Sequence, residues 1–103
     1  MNKSFIQKRI TELRMEKGVS EYKMSTDMGR SKNYIQAITS GRALPSMTEF
    51  LYMCEYLKIT PSDFFNEEVD NPALINEAIT ALKTLSNDDI ALVLNNIKRL
   101  QQK

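Results

Sequence analysis

Histidine and tryptophan are absent from this 103-residue sequence, and cysteine occurs once, at Cys54. Without histidine no imidazole triad or general base can be assembled, and with a lone cysteine the commonest zinc constellations are excluded too. Cys54 has no partner for an internal disulfide and reads as a small core residue. The three glycines are scattered at positions 18, 29 and 41, so no phosphate-cradling glycine loop exists. No enzyme, cofactor or metal site is therefore expected. The longest apolar run, Ile90 to Leu94, is far too short to cross a bilayer, which argues against a membrane partner. The opening MNKSFIQKRI has no apolar stretch of signal-peptide length, and a cytoplasmic location is expected.

What is present is the balance of a globular chain, 42% hydrophobic and 26% charged, enough for one domain and an appendage. The net charge of +1 divides unevenly. Residues 1–66 carry 10 Lys/Arg against 7 Asp/Glu, whereas residues 67–103 carry 4 against 6. The positive excess sits with the stretch around which the chain is organised, Ser20 to Gly41. Ser20 is placed to cap a helix, with Val19 before it and Met24 after it spaced as a hydrophobic staple. Met24 and Met28 share a face by the i, i+4 rule, and Gly29 stands where a left-handed C-cap residue is wanted. Ser31 is expected to cap the next helix, in which Ile35 and Ile38 face inward and Lys32, Asn33, Tyr34, Gln36 and Ala37 are left outside. Two helices meeting at a glycine, the second with a polar outer face, make a helix-turn-helix.

Counting from Glu21, apolar residues stand at the fourth and eighth places, glycine at the ninth, and apolar residues at the fifteenth and eighteenth. This pattern resembles the helix-turn-helix of the Cro/C1-type (XRE, lambda-repressor-like) DNA-binding family. Arg14, the loop from Gly41 to Pro45 and the run from Leu57 to Phe65 are also similar to that family, so the resemblance covers about residues 4 to 66. It implies an all-α fold: a five-helix lambda-repressor-like DNA-binding domain over residues 1–66. A first helix from Asn2 or Ser4 to about Lys17 carries Phe5, Ile6, Ile10 and Leu13. A fourth opens at a Ser46–Glu49 capping box, with Phe50, Leu51, Met53, Cys54 and Leu57 as buried candidates, and a short fifth starts at Thr60-Pro61. After a short linker at residues 67–71, residues 72–103 read as a two-helix C-terminal hairpin. Its stripe, including Leu82, Leu85, Ile90, Val93, Leu94, Ile97 and Leu100, is expected to pair two chains as a homodimer, the alternative being packing on its own first domain.

The resemblance implies a partner, double-stranded DNA, and a transcriptional regulator, a dimeric repressor reading an inverted-repeat operator with helix three. Lys32 can donate to guanine O6 and N7, and Asn33 can pair bidentately with adenine. Ala37 offers a methyl to thymine, and Gln36 or Tyr34 reaches a neighbouring base or a phosphate. Phosphate contacts are expected from the amides at Ser31, from Arg42 in the loop after helix three, and from Arg30. Arg14 occupies the place of a family arginine that pairs with a glutamate at the end of helix three; Thr39 stands there instead, leaving Arg14 to contact phosphate or remain a surface charge. The sequence departs from the family at Glu21, where glutamine is usual, and at Ser25, where alanine is. A carboxylate at Glu21 would repel phosphate, which motivates an alternative: a scaffold acting as a protein-interaction module, antitoxin-like, with a regulatory protein partner.

Overall fold

The computed structural model describes residues 2–102, among which there are seven α-helices and no strand. They are α1 (Lys3–Lys17), α2 (Glu21–Asp27), α3 (Tyr34–Thr39), α4 (Met47–Leu57), α5 (Pro61–Phe65), α6 (Pro72–Leu82) and α7 (Asn87–Gln101). The all-α expectation holds. Among the described residues no helix is long and apolar enough to cross a membrane.

The chain divides into two compact units, Met1–Ala73 and Leu74–Lys103. The first reaches past the expected boundary at Asn66, because Pro72 is buried and Ala73 packs against the core. That core is drawn from every helix of the first five: Ile10 and Leu13 of α1, Met24 of α2, Ile35 and Ile38 of α3, Met53, Cys54 and Leu57 of α4, and Phe64 of α5, with Met28 and Ile59 from the turns. All four phenylalanines gather where α1, α4 and α5 meet. Phe50 and Phe64 cross edge to face at 5.0 Å, and Phe5 stacks on Phe65 at 6.0 Å, geometries that suit the quadrupoles of the rings. Leu51, an expected core residue, is 48% exposed, because the inward face of α4 is taken by Met53, Cys54 and Leu57.

Except at α3, helix starts follow the sequence. Asn2, Ser20, Ser46, Thr60 and Ser86 each accept from a first-turn amide, and Thr60 with Asp63 forms a reciprocal capping box. The stops of α1 to α4 share one device. At α2 the Gly29 amide donates to the Thr26 carbonyl and Arg30 to Ser25, which requires Gly29 at φ 72°. The same pair of bonds closes α4, but there the left-handed residue is Lys58, at φ 59°.

Arg9 is the one charged side chain buried among the described residues, at 2% exposure. Its Nε donates to the Phe64 carbonyl at 2.7 Å, and its second nitrogen reaches the carbonyls of Asp63 at 2.8 Å and Asn66 at 3.1 Å. These three carbonyls close α5; that of Asp63 also accepts from the Asn66 amide, and those of Phe64 and Asn66 lie past the last helical bond. A guanidinium, with five donors in a fixed fork, reaches all three from α1.

In the second unit α7 buries no residue, and α6 buries only Pro72, which belongs to the first unit. Leu82, Ile90 and Val93 are half-buried, while Leu85, Leu94, Ile97 and Leu100 are exposed. Leu85 lies beyond the end of α6, in the turn before Ser86.

Candidate nucleic-acid interface

The candidate interface is built on α2 and α3, seated on the core by buried Met24, Ile35 and Ile38 and by Met28 at the end of α2. Ser31 does not cap α3, contrary to expectation. It stands in the turn, its carbonyl accepting from the Tyr34 amide at 3.0 Å, and the helix begins three residues later with Asn33 at the N-cap position and no side-chain cap. The missing cap comes from α2. Ser25, fully buried, accepts from the Ile35 amide at 3.0 Å and donates to the Glu21 carbonyl at 2.7 Å. One hydroxyl therefore satisfies an orphan amide of α3 and fixes where that helix starts.

Glu21 is also placed otherwise than its sequence position suggested. Its carboxylate accepts from the Thr39 hydroxyl at the end of α3 and is half-buried. The bond ties the start of helix two to the far end of helix three. Arg14 donates to the Val19 carbonyl at 2.8 Å, and its Nε is buried without a partner. It braces the connection between α1 and α2.

Two further expected contacts are turned toward α4. Arg30 pairs with Glu49 at 3.2 Å and lies over the Tyr52 ring at 5.9 Å. The hydroxyl oxygen of Tyr34 is closed off from solvent and faces Glu49 without strict hydrogen-bond geometry. Burial first, and the Glu49 carboxylate second, hold the Tyr34 phenol well above its usual range, while the phenol draws the Glu49 carboxyl below its own. Reading a base with that hydroxyl is therefore corrected to a role in seating α3 on α4. At the opposite end of α2, Tyr56 donates to Asp27 at 2.7 Å, Lys23 pairs with Asp27 at 3.1 Å, and Lys17 lies over the Tyr56 ring at 4.9 Å. Burial and the Asp27 bond push the Tyr56 phenol up to about 12. Cys54 sits beneath, its thiol raised to about 11 by burial first and by Asp63 second, a packing residue and not a nucleophile.

What remains outward is one continuous stretch. Ser31, Lys32 and Asn33 in the turn and Gln36 on α3 are exposed, Ala37 is half-buried beside them, and Arg42 follows in the loop. The side chains of Lys32 and Asn33 enter no hydrogen bond or ion pair among the described residues. Arg42 is held: its guanidinium donates to the Gln36 side-chain oxygen and to the Ser40 hydroxyl, the latter at 3.1 Å. The loop that carries it is closed on α3 by the Arg42 and Ala43 amides, both donating to the Ala37 carbonyl. Gly41 makes this possible at φ 85°, and an added Cβ there would stand 2.7 Å from Gln7 Nε2. Neither the Ser25–Ile35 bond nor the Glu21–Thr39 and Gln36–Arg42 pairs were expected from sequence. The only signal for them was a polar residue at a buried helical position and, for Gln36 and Arg42, a polar residue six places before the loop arginine.

Compared with protein-family models, curated proteins and solved structures, the chain matches none.

Proposed function

We propose that this chain is a sequence-specific double-stranded DNA-binding transcriptional regulator, a dimeric cytoplasmic repressor of phage or bacterial type, with a lambda-repressor-like arrangement of α1 to α5. One observation carries the reading. The turn and helix that begin at Ser31 bury Ile35 and Ile38 while presenting Lys32 and Asn33, unpartnered, beside Gln36 and Ala37. Side chains with fixed donors and acceptors on a short, rigidly seated helix suit the major groove, which admits a helix and displays a distinct pattern for each base pair. Lys32 and Asn33 are the base-reading residues, Gln36 and Ala37 their neighbours, and Arg42 with the Ser31 turn lies at the edge where the DNA backbone would run. The inward turn of Glu21 favours DNA, since its carboxylate is engaged by Thr39 and not presented to a phosphate.

The dimer is supported by the second unit. Its exposed leucines and isoleucines, among them Leu94, Ile97 and Leu100 along α7, leave apolar surface that a second copy of the chain would cover. A two-fold dimer would set two reading helices about 34–36 Å apart, one turn of DNA, on an inverted-repeat operator. The alternative, a protein-interaction module, draws on the exposed Leu44 and Met47 beside Phe65, an apolar groove away from α3.

The test is a selection from a random double-stranded DNA pool at moderate salt, with the wild type beside a Lys32→Ala/Asn33→Ala double variant. An inverted repeat enriched by the wild type alone is the expected result. No enrichment by either protein would sink the regulator reading and turn the search to protein partners.

A further inference from the structure

Arg42 and Gln36 are joined on the outer rim of α3, and the chemistry of the bond orients both. A guanidinium carries donors only, so the Gln36 amide must turn its oxygen to Arg42 and its NH2 group away. The second guanidinium bond, from Nε to the Ser40 hydroxyl, holds Arg42 against the end of the helix. Its backbone is fixed as well, because the Arg42 amide donates to the Ala37 carbonyl at 2.9 Å. Gln36 is therefore a side chain whose acceptor is engaged by a cation and whose donor is free.

We propose that Arg42 is a positioning residue for base recognition, making the Gln36 edge donor-only and directing it to guanine. The proposal rests on the DNA-regulator reading and specifies what one position of the operator must be. An unconstrained glutamine reads adenine with a donor to N7 and an acceptor for the N6 amino group. With a positive guanidinium against its oxygen, the same amide repels an approaching amino group, so adenine and cytosine are disfavoured. Guanine presents two acceptors, N7 and O6, to the Gln36 NH2 group and the remaining Arg42 donors. Thymine, with one acceptor, ranks second.

The experiment repeats the random-pool selection with the wild type, Arg42→Met and Gln36→Glu. Both substitutions replace exposed side chains, and a thermal melt of each protein confirms that folding is retained. Base preference within the selected motif is the readout, since a general loss of affinity on removing a charge says nothing about positioning. The wild type should show one half-site position preferring guanine over adenine by about 5-fold or more. Arg42→Met should shift that position toward adenine by freeing the amide oxygen, and leave the other positions unchanged. Gln36→Glu keeps the bond to Arg42 but has no donor, and should lose the guanine preference at the same position. If Arg42→Met weakens binding with every base preference unaltered, Arg42 is only a backbone clamp and the inference falls while the regulator reading stands. A wild type that selects no motif overturns both.

Discussion

The Ser25 hydroxyl accepts from the Ile35 amide, an orphan donor in the first turn of α3, and donates back to the Glu21 carbonyl. Ser25→Ala would leave the Ile35 N–H buried and unpaired, at a cost of about 1–3 kcal/mol read as a shift in the urea midpoint. Loss below about 0.5 kcal/mol would mean that α3 finds its first-turn partner elsewhere. Asp27 gives a pH dependence with a definite sign. Its carboxyl is held below the ordinary value of 3.8, first by the Tyr56 hydroxyl and then by Lys23, so the folded state binds its proton later than the unfolded chain. The contribution is complete above pH 3.8 and is lost as pH falls through the lower folded value. Asp27→Asn should therefore flatten the fall in stability below pH 4 while changing the slope near neutrality little, measured by denaturant unfolding across that range. At this scale the sequence was partly legible. The caps at Asn2, Ser20 and Ser46 were readable because each acts on its own helix. Ser25, Glu21 and Arg9 were not, because their partners lie 10, 18 and 55 residues away along the chain.

Among the helices, ends were easier to read than the one beginning that matters most. Gly18 and Gly29 mark the stops of α1 and α2, since a left-handed residue is needed there and glycine takes it without a Cβ penalty. The stop of α4 had no such mark, because Lys58 adopts φ 59° instead. Lys58→Gly should relieve that strain and stabilise the first unit by roughly 0.5–1 kcal/mol after the greater freedom of glycine in the unfolded chain is set against it. A rise in melting temperature with unchanged helical circular dichroism would show it, and a fall would mean that interactions of the lysine side chain outweigh the strain. Helix three was expected from Ser31 because serine before an apolar period is the usual start signal. It starts at Tyr34 because the cap is supplied by α2, which leaves Lys32 and Asn33 in the turn rather than in the first helical turn. The side chains expected to read DNA are still outward, but they emerge from backbone that is not helical. Their reach toward a base therefore depends on the turn from Gly29 to Asn33 as much as on the helix axis.

At the scale of the whole molecule, the two units differ in how they satisfy their apolar residues. The first encloses a core supplied by α1 to α5, including Ile10, Met24, Ile35, Met53 and Phe64 at 0% exposure. The second leaves Leu94 46%, Ile97 41% and Leu100 77% exposed, although its stripe keeps helical spacing throughout α7. Periodicity revealed the stripe but could not say what covers it, since the same pattern serves a core, a hairpin or a second chain. An apolar stripe open to water is unfavourable, which is the physical reason for proposing that a second copy of the chain covers it. Leu94→Glu/Ile97→Glu places two charges on that stripe and leaves the first unit untouched. In light scattering after size exclusion, the wild type should run at twice the 11.9 kDa chain mass and the variant at the single mass. The DNA selection then separates assembly from reading. A monomeric variant should still favour one half-site through Lys32 and Asn33 but should lose the requirement for an inverted repeat at fixed spacing, because nothing holds two reading helices one DNA turn apart. If the wild type is already a monomer, or if the variant retains the inverted repeat, the pairing of chains does not run through this stripe.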